Sequence, residues 1–371
     1  MTEPRFTEKA IDPDGSGGSG GARGAGRPGS QAEPAGALRK PEDVATGLGQ
    51  VVRLGRQLRL GRFGGVYVWA ATIAVFAAVI PDTFLTTTTA NGIVGDQAIT
   101  LIVALGLLAA LSTGSFDLSV GQNLGFSAVL CAWLTANAGL SPALAVLVTV
   151  AAGAAIGAFN GLLIVYVGVD SFIATLGMSS ILLALTQIVS SSKFIGPLPK
   201  SLQSFANWQQ RGVSGFTVYA IVLALAGWVL LEHTAVGRRA AATGAGLEAA
   251  RLAGIATTKY RFTALVMCGA GGGLAGVLVA AKTGAVSPTI GPEYLLPAFA
   301  ACFLSATQFK PGRFNVWGTI LALLLLGTGV AGFNLLGGQV WIGNLFTGVA
   351  LVAAVSFAVV GQRLRTGARG A

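Results

Sequence analysis

The sequence predicts an all-α fold, a polytopic bundle of transmembrane helices, and three observations lead there. Of 371 residues, 53% are hydrophobic and only 10% are charged, whereas soluble globular domains carry roughly 25% charged residues. Mean hydropathy is +0.72. No charged residue occurs from Leu118 to Val169 or from Phe314 to Gln362. A helix crosses the hydrocarbon core with about 20 apolar residues, so each of those runs accommodates two crossings.

Apolar runs between polar breaks give about ten spans, at 66–81, 93–112, 119–137, 142–166, 171–190, 215–232, 262–281, 293–308, 315–333 and 340–360. They form a membrane domain over residues 63–361. Residues 1–62 read as a cytosolic tail: "DPDGSGGSGGARGAGRPGSQAEPAGA" is rich in Gly, Ser and Pro and has almost no large apolar side chain, a composition expected to stay disordered. The tail is not a signal peptide, because the first apolar span starts only near Val66. Next to the membrane, "VVRLGRQLRLGRFGG" sets Arg53, Arg56, Arg59 and Arg62 three residues apart, a pattern suited to anionic lipid.

Ten crossings from a cytosolic start return the C-terminus to the cytosol. The basic tail 362–371, with Arg363, Arg365 and Arg369, and the pair Lys310 and Arg313 then obey the positive-inside rule. Lys193, Lys200 and Arg211 are the exceptions and fall outside, between spans five and six. Ten of the 24 basic residues precede Val66 and most others lie in short inter-span segments. Topology therefore accounts for the net charge of +10, and no nucleic-acid partner is implied.

Within the spans, Gly153, Gly157 and Gly161 repeat at every fourth position and "GAGGGLAG" covers 269–276. Such stripes let helix backbones approach closely in lipid. Cys131, Cys268 and Cys302 are isolated in apolar runs and read as small core side chains. Gly271-x-Gly273-x-x-Gly276 has dinucleotide-motif spacing but lacks the preceding strand that the motif needs. "GVLVAAKT" (276–283) approaches a phosphate-binding loop, but Ala281 stands at its second glycine, so the chain should not bind ATP itself. His233 is the single histidine, which leaves no histidine-rich metal site and no histidine-based catalytic triad; it reads as a cap at the end of span six beside Glu232. No catalytic residue, metal or cofactor is expected.

Two breaks carry polar groups. "TGSFDLSVG" (113–121) places Asp117 and Ser119 between two glycines, Gly114 and Gly121. One reading makes them N-terminal caps of span three; the other makes the break part of a translocation path or cytosolic gate. "DSFIATLGM" (170–178) similarly opens span five with Asp170 or Ser171. Asp82, Asp96, Asp117, Asp170, Glu232 and Glu293 all map near span ends, so no buried carboxylate pair offers a proton or sodium site. A bundle without catalytic groups or its own energy source points to a pore powered by a partner.

The segment "GRRAAATGAGLEAARLAGIATTKYR" (237–261) supplies a surface for one. Leu247 to Ala253 fits two helical turns, with Glu248 early and Arg251 late, as the helix dipole prefers, and Gly254 is placed to end them. So short a helix needs a partner surface, either its own bundle or a cytosolic protein that meets Leu247, Leu252 and Ile255.

"GLEAARLAGI" (246–255) resembles the cytosolic coupling loop of permease subunits in bacterial ABC importers. With "GSFDLSVG" (114–121), "NGLLIVYVGVDSFIATLGM" (160–178), "HTAVGRRAAATGAGLEAARLAGI" (233–255) and "PGRFNVWGT" (311–319), the chain resembles the ribose/xylose-type monosaccharide branch, which groups with branched-chain amino acid permeases. The resemblance implies a multi-pass protein of the bacterial cytoplasmic membrane. Its partners would be two ABC ATPase subunits that hydrolyse ATP, an extracytoplasmic sugar-binding protein and a second permease subunit. It carries the ATPase contact onto Gly244, Glu248, Ala249, Ala250, Arg251 and Gly254 in the coupling loop 233–261, and the path or gate onto Asp117, Ser119, Gly121, Asn160 and Thr175. Gly246 and Leu247 stand where the family tends to be polar, and Ser115 replaces a usual glycine. The same machine could carry another small polar solute such as an amino acid or nucleoside; a secondary carrier or facilitator is the other alternative.

Overall fold

A computed structural model of the chain describes residues 60–210 and 213–367, with side chains left undescribed at 60–62, 210, 340 and 357–367. The Gly/Ser/Pro-rich tail, the side chains of Arg53, Arg56, Arg59, Arg62 and Arg211, and those of the C-terminal arginines lie outside the described residues.

Among the described residues the fold is all-α apart from one two-residue antiparallel pair, β1 (Gln209–Gln210) with β2 (Val213–Ser214), and a single bridge between Ile195 and Val286. The helices run α1 (Leu60–Val79), α2 (Pro81–Phe84), α3 (Thr87–Ser112), α4 (Val120–Ala136), α5 (Pro142–Gly161), α6 (Ser171–Ser190), α7 (Lys200–Asn207) and α8 (Gly215–Trp228), then α9 (Ala235–Ala245), α10 (Leu247–Leu252), α11 (Thr257–Thr283), α12 (Leu295–Ser305), α13 (Val316–Leu335) and α14 (Val340–Gly367). Wider π-type turns extend α5 over Leu162–Val167 and α8 over Val229–His233.

Each predicted span contains a helix. Six of them, the segments Thr87–Ser112, Pro142–Val167, Ser171–Ser190, Gly215–His233, Thr257–Thr283 and Val316–Leu335, are long and apolar enough to cross a membrane. The chain is thus a helical, multi-pass membrane protein. The eighth predicted span is shorter than expected: a 3₁₀ turn at Gly291–Tyr294 precedes α12, whose 11 residues reach only about 16 Å. The start of the seventh also moves, since α11 begins at Thr257 rather than 262.

Helices α3, α4, α11 and α13 make the buried centre, while α5, α6 and α8 keep large apolar faces exposed, as helices bordering lipid do. The α11 helix is the hub, packing on α3, α4 and α5. Its crossing with α5 depends on the glycine stripes. A Cβ at Gly153 would lie 2.7 Å from Gly269 O and one at Gly157 would collide with Leu265 O, while on the α4 side one at Gly276 would sit 2.5 Å from Leu124 O. Without a hydrophobic drive between helices in lipid, such close backbone contact is what holds them together. The three cysteines are free and buried, as read from sequence.

Ion pairs mark the two ends of the bundle. Lys282 meets Asp96 at 2.7 Å near the end of α11. At the opposite end Lys310 pairs with Glu232, which also accepts the Val316 amide at 3.3 Å and so caps α13. Glu232 thus serves a helix 84 residues away. His233 sits edge-on to Trp228, with Nδ1 3.5 Å from the Trp228 carbonyl.

Candidate functional site: a buried polar turn beside the segment 233–261

Residues 113–119 join α3 to α4 and fold back into the bundle. Thr113 and Gly114 amides bond to the last carbonyls of α3, and Gly114 takes φ +77°, a left-handed value that glycine adopts without strain. The turn then carries Asp117 inward, against Ser119 and Asn160. Asp117 is 1% exposed. Asp117 lies in the break between α3 and α4, as read from sequence; what the structure adds is that it is buried there.

Asp117 Oδ1 accepts the Ser119 hydroxyl at 2.6 Å, the Ser119 amide at 3.0 Å and Asn160 Nδ2 at 3.5 Å. Asn160, near the end of α5, also donates to Ser119 Oγ at 2.9 Å. Thr175 Oγ1 on α6 accepts the Leu118 amide at 3.1 Å, and Ser171 Oγ accepts the Phe116 amide at 3.4 Å. Four predicted site residues, Asp117, Ser119, Asn160 and Thr175, thus form one buried cluster. The fifth does not join it: Gly121 packs on the 3₁₀ turn, where a Cβ would lie 2.9 Å from Leu295 Cβ and 3.1 Å from Gly291 O. The capping expectation holds in part. Ser119 occupies the N-cap position of α4 but makes no side-chain cap bond, its hydroxyl being used by Asp117 and Asn160. Asp170 does cap α6, accepting the Phe172 and Ile173 amides at 2.9 and 3.3 Å.

Asn123 was missed in the sequence reading. From α4 its Nδ2 donates to Gly153 O at 3.3 Å and Gly269 O at 3.1 Å, while Ser127 donates to its Oδ1 at 3.2 Å. It pins the glycine-rich crossing of α5 and α11. The signal was a polar pair, Gln122–Asn123, inside a charge-free run.

The hydrophilic segment 233–261 is two helices rather than one. The Thr234 side chain accepts the Gly237 amide at 3.3 Å and opens α9 over the alanine-rich run. Helix α10 follows with Glu248 in its first turn and Arg251 in its last. Gly254 ends it at φ +78°. Glu248, Ala249, Arg251 and Leu252 face outward, Leu252 with 88% of its surface exposed, while Ala250 turns inward. Gly244 lies against the α3–α4 turn, where a Cβ would collide with Ser112 O and sit 3.0 Å from Gly114 N.

The polar turn is thus buried inside the bundle, and the short helix α10 beside it faces outward. The family model described as branched-chain amino acid transport system / permease component matches residues 89–355. The chain belongs to that family. It is 30% identical over 319 residues to the ribose import permease protein RbsC of Bacillus subtilis, covering 85% of this chain and 97% of that protein. Over 296 residues it is 28% identical to the D-allose transport system permease protein AlsC of Escherichia coli, covering 80% and 90%. Over 283 residues it is 30% identical to the autoinducer 2 import system permease protein LsrC of Salmonella paratyphi B, covering 76% and 82%. No solved structure matches the chain at the same stringency.

Proposed function

We propose that this family member is the membrane-spanning subunit of an ATP-driven importer that carries a monosaccharide of the ribose type across the bacterial cytoplasmic membrane. The observation that carries this reading is the match to a ribose import permease along 97% of that protein's length. The D-allose permease supports the same substrate class. The chain crosses ten times with both ends in the cytosol. Helices α1, α4, α12 and α14 complete the count beyond the six long spans. The edge-on contact of Phe63 with Phe309 puts the start of α1 at the end that holds Lys310, in keeping with that topology.

ATP is hydrolysed on two partner ATPase subunits, which dock at the segment 233–261 through Glu248, Ala249 and Arg251 on the exposed side of α10. Gly244 and Gly254 shape the backbone around that helix, and Ala250 seats it on the bundle. An extracytoplasmic sugar-binding protein delivers substrate at the opposite end, and a second permease subunit completes the pathway. The cluster of Asp117, Ser119, Asn160 and Thr175 with the nearby Gly121 lines or gates that pathway, opening when the bundle rocks. Purification of the chain from its native membrane tests docking: an ATPase subunit should accompany it, and Glu248→Lys should strip that subunit away. Retention of a coupled ATPase by Glu248→Lys would remove Glu248 from the contact.

A further inference from the structure

The two arms that hold α10 both end on the same turn. On its N-terminal side, Gly244 at the end of α9 packs backbone to backbone on Ser112 and Gly114. On its C-terminal side, half-buried Arg261 in the first turns of α11 donates from Nε to Ser115 Oγ at 3.1 Å. Gly114 and Ser115 are adjacent, and two residues later the same turn becomes Asp117, bound to Ser119 and Asn160. Phe116 and Leu118 amides meanwhile engage Ser171 and Thr175 of α6.

We propose that the turn Thr113–Ser119 is the receiver of the coupling segment, with Gly244 and Arg261 as positioning residues that deliver the displacement of α10 to the buried polar cluster. Three features suit it to that work. The contact at Gly244 has no side chain to absorb motion, so a shift of α9 moves Gly114 directly. A cavity of about 550 Å³ lined by Ser112, Arg238, Gly244, Gly312 and Arg313 lies against the joint and gives α9 room to move. Every hydrogen bond from the turn to α5, α6 or α11 runs through a side chain, so the partners can exchange without unwinding a helix. The inference rests on the reading of α10 as the ATPase-docking helix. It adds where the motion goes.

The test uses the full chain with its co-purifying ATPase and binding protein in proteoliposomes. The probe is whichever of D-ribose, D-xylose and D-allose the unmutated complex takes up fastest. Ser115→Ala and Arg261→Ala, which each remove the Arg261–Ser115 bond, should retain the ATPase in normal amount yet lose about tenfold or more of ATP-driven uptake, a typical size for a coupling between sites. Gly92→Ala, whose added methyl meets nothing within 4 Å, should transport normally. In the unmutated complex, amide hydrogen exchange over 113–119 should change when the ATPase binds nucleotide, a readout independent of how well the variants fold. Full uptake by both variants, loss of the ATPase from either, or unchanged exchange across the turn would each overturn the receiver. No ATP-driven uptake in the unmutated complex would instead overturn the importer reading, and the receiver with it.

Discussion

Asn123 and Gly157 set how closely three helices pack. Asn123 bonds carbonyls on α5 and α11 from α4, and Gly157 leaves no space for a methyl beside Leu265 O. Gly157→Ala should therefore cost about 1–3 kcal/mol, as overpacking of a tight interface does. Thermal unfolding in detergent measures it, with Gly177→Ala, which meets open space, as the unchanged reference; equal unfolding temperatures would contradict the packing account. Asn160→Leu removes the donor to Ser119 and Asp117 and should cost about 1–3 kcal/mol by leaving buried acceptors short of a partner. An unchanged unfolding temperature would mean the cluster adds nothing to the bundle. At this scale the sequence spoke unevenly. Glycine spacing named the interface, because every fourth residue shares a helix face. The partners of Asn123 and Glu232 lie up to 146 residues away, a distance no local pattern spans.

The helices themselves were the most legible part, since charge-free runs bounded by polar breaks state where a chain can sit in lipid. Several elements escaped, α7 and the β1–β2 pair among them, and two bear on the site. The α9 helix is polar and alanine-rich, so it gives no hydropathy signal even though alanine favours helix. The α3–α4 turn was legible as a polar break, but its burial was not, because that depends on Asn160 and Thr175, which lie 41 and 57 residues from their partners. Helix α10 was visible through its charge order and Gly254. Its exposed Leu252 predicts a docking surface: Leu252→Asp should abolish ATPase co-purification without lowering the unfolding temperature of the bundle. Gly254→Val, forced to φ +78°, should loosen the end of α10 by about 1–2 kcal/mol and weaken the same association. If the ATPase stayed bound in both variants, α10 would not be the docking element.

Across the whole molecule the proposed function needs two faces with different tasks, a cytosolic end bearing α9 and α10 and an outer end bearing Lys193 and α7, which starts at Lys200. The three native cysteines are buried, so single introduced cysteines report sidedness against a low background. In sealed, oriented cells, a membrane-impermeant maleimide should label Lys193→Cys and spare Leu252→Cys; the reverse pattern would invert the topology. The central claim is that this bundle moves solute only when a partner hydrolyses ATP. The most direct measurement is uptake of D-ribose, D-xylose and D-allose into proteoliposomes holding the chain alone, or the chain with its ATPase and binding protein, with and without ATP. Uptake confined to the complete complex with ATP is the predicted result, and ATP-independent uptake by the chain alone would contradict it.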